Sequence, residues 1–195
     1  MGIMDTRHFS RGWELETERY EARILAGQKL YLEALDSMTG RSPANFVAHA
    51  IDGLFVSRGI YDEYARVQRP YYVDGKKLKT RLRMKEIREM LAEGRREVVN
   101  YQFCRRHLAY LRAVAETSSR EVSELICEAI DDHMLKAGVT DRPFVGRPEN
   151  THYKSMLERA GFDLREMERL STEELEKRMK ISRENCDKRG WGWIF

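Results

Sequence analysis

No run of apolar residues in this 195-residue chain approaches the roughly 20 needed to cross a bilayer as a helix, so no membrane partner is expected. The first residues, MGIMDTRHFSRGW, lack the apolar core of a signal peptide, and a cytoplasmic location is the expectation. Cysteine is sparse. Cys104, Cys127 and Cys186 are odd in number, far apart and free of CxxC spacing, which suggests neither a disulfide framework nor a zinc site. Catalytic signatures are missing too. His8, His49, His107, His133 and His152 are scattered, with no HExxH pair, no GxSxG elbow and no glycine-rich phosphate or dinucleotide loop. Asp131, Asp132 and His133 are adjacent, but three consecutive helical positions point in different directions. Neither an enzyme nor a cofactor is expected. The net charge is only +3, so any nucleic-acid partner has to be argued from where the charge clusters.

What is present is ordinary for a globular chain, 42% hydrophobic and 34% charged, but it is ordered. In MTGRSPANFVAHAIDGLFVSRG, Ser42 is placed as an N-cap, Pro43 suits the first helical position, and Gly59 can take the left-handed conformation that closes a helix. The pattern predicts a helix over Pro43 to Arg58. Its buried face is Phe46, Val47, Ala50, Ile51, Leu54 and Phe55. A second stretch, VVNYQFCRRHLAYLRAVAETSSREVSELICEAIDDHMLKAG, closes on Gly138 as the first closes on Gly59, an offset of 79. Shifting by 79 without a gap sets Ile24 on Phe103, Tyr31 on Tyr110, Leu32 on Leu111, Leu35 on Val114, Phe46 on Leu125, Val47 on Ile126, Ala50 on Ala129 and Ile51 on Ile130. Two positions break the likeness: Leu54 falls on His133 and Gly27 on Arg106. Each unit reads as a short alternating strand (Tyr20, Ala22, Ile24; Val99, Tyr101, Phe103), an amphipathic helix, a polar turn and a second helix. One strand with two short helices can neither satisfy its backbone nor bury its faces alone, so each unit needs another copy.

The segments TGRSPANFVAHAI and SSREVSELICEAI resemble the turn and second helix of ribbon-helix-helix proteins, the superfamily of Arc and the methionine repressor. The resemblance covers less than half the chain. It implies a mainly α fold with a short two-stranded antiparallel ribbon that enters the DNA major groove. Two units in one polypeptide resemble the single-chain, pseudo-twofold form found among accessory proteins of conjugation and T-DNA transfer. The division expected is an N-terminal arm (1–17), a first unit (18–59), a basic linker (60–96), a second unit (97–138) and a C-terminal helical extension (139–195). Glu121 stands where the first unit has Ser42, so the second cap is expected at Ser118 or Ser119, with Ser118 and Glu121 spaced as a capping box.

With Tyr20, Ala22 and Ile24 facing the helices, alternation turns Arg19, Glu21 and Arg23 to the other face, and in the second unit Val98, Asn100 and Gln102. Arg suits guanine, Asn and Gln adenine, and Glu the cytosine amino group, so Arg19, Glu21, Arg23, Asn100 and Gln102 are the candidate base readers. A solvated ribbon face would carry similar residues. The two halves differ, so an asymmetric site is expected. Second-helix N-termini, near Ser42 and Ser119, suit phosphates, and Arg41 and Arg120 flank them at equivalent positions. In the linker, RPYYVDGKKLKTRLRMK carries an Asp74-Gly75 hairpin signature, then a basic face of Lys77, Lys79, Arg81 and Arg83. That face is either a DNA-backbone element or a lysine-protected edge strand. A helix ended by Gly94 follows.

Beyond Gly138, VTDRPFVGRPEN reads as a linker or an ordered loop against the core. Asn150 or Thr151 can cap a helix ending near Gly161, and Ser171 with Glu174 forms a capping box for a charged helix reaching about Arg189. The tail GWGWIF either docks on the protein's own surface or binds a partner. Double-stranded DNA is therefore the expected partner, for a transcriptional regulator or a DNA-transfer factor of a plasmid or other mobile element. The alternative is an antitoxin-like or scaffold module that binds a protein through its C-terminal helices and aromatic tail.

Overall fold

A computed structural model describes residues 16–61, 84–146 and 152–188, with side chains as far as Lys180. Among the described residues two strands, β1 (Thr17–Leu25) and β2 (Arg96–Cys104), pair antiparallel as a two-stranded ribbon. Each runs without a loop into a helix: α1 (Ala26–Thr39) and α4 (Arg105–Ser118). A short turn leads from each to a second helix, α2 (Pro43–Ser57) and α5 (Val122–Lys136). Every one of these elements recurs 79 residues later with the same length, from Thr17 against Arg96 to Ser57 against Lys136. The linker helix α3 (Met84–Glu93) precedes β2, and α6 (Tyr153–Arg159), α7 (Leu164–Met167) and α8 (Thr172–Lys188) follow α5. The described residues are mainly helical with a short two-stranded ribbon. No helix among the described residues is long and apolar enough to cross a membrane.

The abrupt change from strand to helix leaves helix-start N–H groups to be satisfied, and the ribbon supplies the acceptors. Ala26 donates to the Arg95 carbonyl at 2.8 Å and Arg105 to the Glu16 carbonyl at 2.9 Å, so each strand extends the ladder into the other strand's helix. On the inner ribbon face Ala22, Ile24, Val99 and Phe103 are buried, with Tyr20 and Tyr101 packed beside them. Tyr20 meets Phe103 edge to face at 5.7 Å between ring centres. Beneath the ribbon α2 packs on α5, and Phe46, Val47, Ala50, Ile51, Leu54 and Phe55 are all buried against Leu125, Ile126, Ala129, Ile130 and Met134. Gln28, fully buried, accepts from the Leu25 N–H and donates to the Cys127 carbonyl, tying α1 to α5. His107, 79 positions on, reaches Asp52 of α2 at 2.8 Å.

The helix ends follow the local signals at Gly59 and Gly138, whose φ angles are 78° and 68°. The caps of the second unit do not. Ser118 is the last residue of α4, its hydroxyl turned back to the Val114 carbonyl, and Ser119 takes the left-handed conformation that ends that helix. Glu121 is the N-cap of α5 instead, with Glu124 returning to its N–H at 3.4 Å. Ser42 holds the N-cap position of α2 without a side-chain hydrogen bond there. His152, not Asn150 or Thr151, is the N-cap of α6. The Ser171–Glu174 capping box is formed as expected. The one-turn α7 had no periodic signal to reveal it. The loop after Gly138 lies on the core: Val139 and Thr140 are buried, and Asp131 accepts from the N–H groups of Phe144 and Val145.

Candidate nucleic-acid interface

Strand pleating puts alternate side chains on opposite faces, and the inner face is held by apolar packing, so the outer face is set. Arg19, Glu21, Arg23, Val98, Asn100 and Gln102 are all exposed there. The register brings them together as cross-strand neighbours: Arg19 opposite Gln102, Glu21 opposite Asn100, and Arg23 opposite Val98. Residues Glu21 and Asn100, at the centre, are 79 positions apart. Arg96, in step with Val98 and Asn100, is also exposed and extends the basic character of one end. It falls in the same period-two series and was separable from the linker only once the strand's first residue was known.

Ion pairs at the margins hold this surface in place. Glu97 accepts from Lys29 at 2.9 Å and pairs with Arg95 at 3.0 Å, and the Lys29 hydrogen bond lowers the Glu97 pKa. Arg112 pairs with Glu18 on the opposite flank. The backbone N–H of Arg23 donates to Ser123 Oγ at 3.1 Å, which pins the start of α5 against the ribbon. Among the described residues no side chain hydrogen-bonds or pairs with those of Arg19, Glu21, Arg23, Asn100 or Gln102. The face can therefore offer cationic and amide donors together with amide and carboxylate acceptors, a set suited to base edges.

The flanking residues separate. Ser42 is exposed at the start of α2, and Arg41 is half-buried beside it; burial lowers the pKa of His49, and the Arg41 charge adds to that lowering. Ser119 is exposed in the turn before α5. Arg120 is different, and the phosphate role expected of it is corrected by its surroundings. Its guanidinium, 11% exposed, points inward and donates to Glu128 at 2.6 Å and to the Tyr153 hydroxyl at 2.8 Å. Glu128 is fully buried and also takes Arg58 at 2.5 Å and the Tyr153 hydroxyl at 2.7 Å. A buried carboxylate outcompetes solvent for that cation, and position in the repeat did not reveal it. Lys77, Lys79, Arg81 and Arg83, with their hairpin, lie outside the described residues, as do the N-terminal arm to residue 15 and the GWGWIF tail.

Among the described residues no group of three or more His, Cys, Asp or Glu could hold a metal ion. No family model, curated protein or solved structure matches this chain.

Proposed function

We propose that the chain is a tandem ribbon-helix-helix protein in which two units pair within one polypeptide about a pseudo-twofold axis through Glu21 and Asn100, and that it binds double-stranded DNA in the major groove through the outer ribbon face. The carrying observation is the register: five polar or charged readers from both strands share one exposed face, while the opposite face of the same ribbon is buried. A two-stranded ribbon is one of the few elements that fits a major groove. The matched 79-residue spacing of strand, helix and helix supports the tandem reading, and covalent linkage keeps each half at high effective concentration for the other. Transcriptional regulation or assistance in DNA transfer are the roles such a protein would serve. Ser42, Arg41 and Ser119 are the proposed phosphate contacts near the helix starts, with the basic linker as a further one.

Binding isotherms on a selected and a scrambled duplex test this. Replacing Arg23, Asn100 or Gln102 by Ala is expected to weaken the selected duplex by about 1–3 kcal/mol each, with little change in melting temperature because these side chains lie opposite the core. Replacing Lys79 and Arg81 is expected to weaken both duplexes and flatten the salt dependence, by roughly 0.9 in slope for each phosphate no longer neutralised. Equal affinity of the native protein for both duplexes, or ribbon variants that melt early yet bind unchanged, would remove the proposal's basis.

A further inference from the structure

Val98 is the exposed large hydrophobic residue of the described chain, 54% accessible toward one end of an otherwise polar ribbon face. Its strand needs an apolar residue on the inner side only, and Val99, Tyr101 and Phe103 already fill those positions. An exposed β-branched side chain on a two-stranded ribbon favours unwanted pairing with other chains. The neighbours of Val98 on the same face are polar or charged: Arg96 and Asn100 along the strand, Arg23 across it. We propose that Val98 is a specificity residue that packs on the 5-methyl group of a thymine in the major groove, the apolar feature by which that groove distinguishes thymine. This rests on the ribbon binding DNA as proposed above.

The register makes the inference positional. Arg19 with Gln102 forms one end of the reading face, Glu21 with Asn100 the centre, and Arg23 with Val98 the other end. Val98 stands 79 positions after Arg19, so the two halves present a methyl-seeking group and a guanine-seeking group at corresponding places. A two-residue step along a strand is roughly 7 Å, close to two base-pair rises. The thymine is therefore expected about two base pairs from the centre of the site, on the side of Arg23. This pair adds to the differences Glu21/Asn100 and Arg23/Gln102 in making the expected target asymmetric.

The test replaces each thymine of a selected duplex singly by deoxyuridine, which removes only the methyl group and leaves the protein intact. Native protein is expected to lose about fourfold in affinity at one such position. Val98→Ala should bind the thymine and deoxyuridine duplexes equally, at the native level for deoxyuridine. Val98→Arg should shift the preference at that base pair from thymine to guanine. If native protein discriminates selected from scrambled DNA but ignores every deoxyuridine substitution, the role of Val98 is overturned while DNA reading stands. If it does not discriminate at all, DNA reading fails and this inference falls with it.

Discussion

Glu128 shows how a single residue can join four parts of the molecule: Arg58 after α2, Arg120 before α5, its own helix, and Tyr153 of α6. Burial alone would raise its carboxyl, but hydrogen bonds from Arg120, Tyr153 and Arg58 outweigh that and hold its pKa below the ordinary 4.5. Folding thus favours the ionised form. The contribution is present above pH 4.5 and is lost as pH falls through the lowered folded-state value. Glu128→Ala would leave two guanidinium groups, 18% and 11% exposed, without their carboxylate. A loss of about 3–5 kcal/mol in urea unfolding at pH 7 is expected, and a loss below about 1 kcal/mol would mean the network contributes no more than a surface pair. His133 works in the opposite chemical sense. Burial, with smaller effects of His49 and Lys136, lowers it from 6.5 to about 4, and its Nδ1 shares a hydrogen bond with the Tyr31 hydroxyl at 2.9 Å. The unfolded chain binds the extra proton between those values, so stability contributed by neutral His133 is present above pH 6.5 and declines toward pH 4. His133→Leu, which installs the residue found at position 54, should reduce the stability lost between pH 7 and pH 5 by about 2 kcal/mol. Unfolding curves at the two pH values measure it, and equal losses in native and variant would contradict it.

At the scale of elements, the packing of α3 on α1 depends on Gly27. A Cβ there would lie 2.6 Å from Leu91 Cγ, 2.7 Å from the Ile87 carbonyl oxygen and 2.9 Å from the Leu91 nitrogen. Two of those atoms are backbone and cannot turn aside. Gly27→Ala is expected to destabilise by about 1–3 kcal/mol even though alanine is the better helix former. Gly53, in α2, has only the end of Lys136 at 3.7 Å from such a Cβ, so Gly53→Ala should stabilise by about 0.5–1 kcal/mol. Opposite signs for two Gly→Ala changes, read by thermal melting, are the expected result.

Across the whole molecule, the two units are flanked by different neighbours. On the first, α3 covers α1 at Gly27; on the second, α8 covers α4. Arg106, the residue corresponding to Gly27, is fully buried and donates to the Met167 and Leu170 carbonyls around α7. Leu175 and Met179 of α8 are buried, and Glu176 pairs with Arg105 at 2.7 Å. Deleting residues 171–195 should therefore lower the melting temperature by more than about 10 °C. A truncation that melts like the full chain would instead favour a C-terminal segment available to a partner.

Short-range pattern determined much of this. Period-two alternation assigned both ribbon faces, 3.6-residue periodicity with the caps at Pro43, Gly59, Gly94 and Gly138 located the helices, and the offset of 79 related the two units. All of these are carried by neighbouring residues, whose backbone preferences act before any distant contact forms. The destination of a side chain that can turn either way is a different matter. Arg120 and Arg41 hold corresponding positions, yet one is drawn inside by Glu128 and the other sits beside His49. Gly27 and Arg106 break the 79-residue correspondence for the same reason, because equivalent sites meet different partners once α3 and α7 are in place, while His133, where the first stretch has Leu54, is bonded to Tyr31 of α1. Only the tertiary structure could decide those, because the free energy of a buried charge or a missing Cβ depends on the atoms brought against it and not on the residues beside it in the chain.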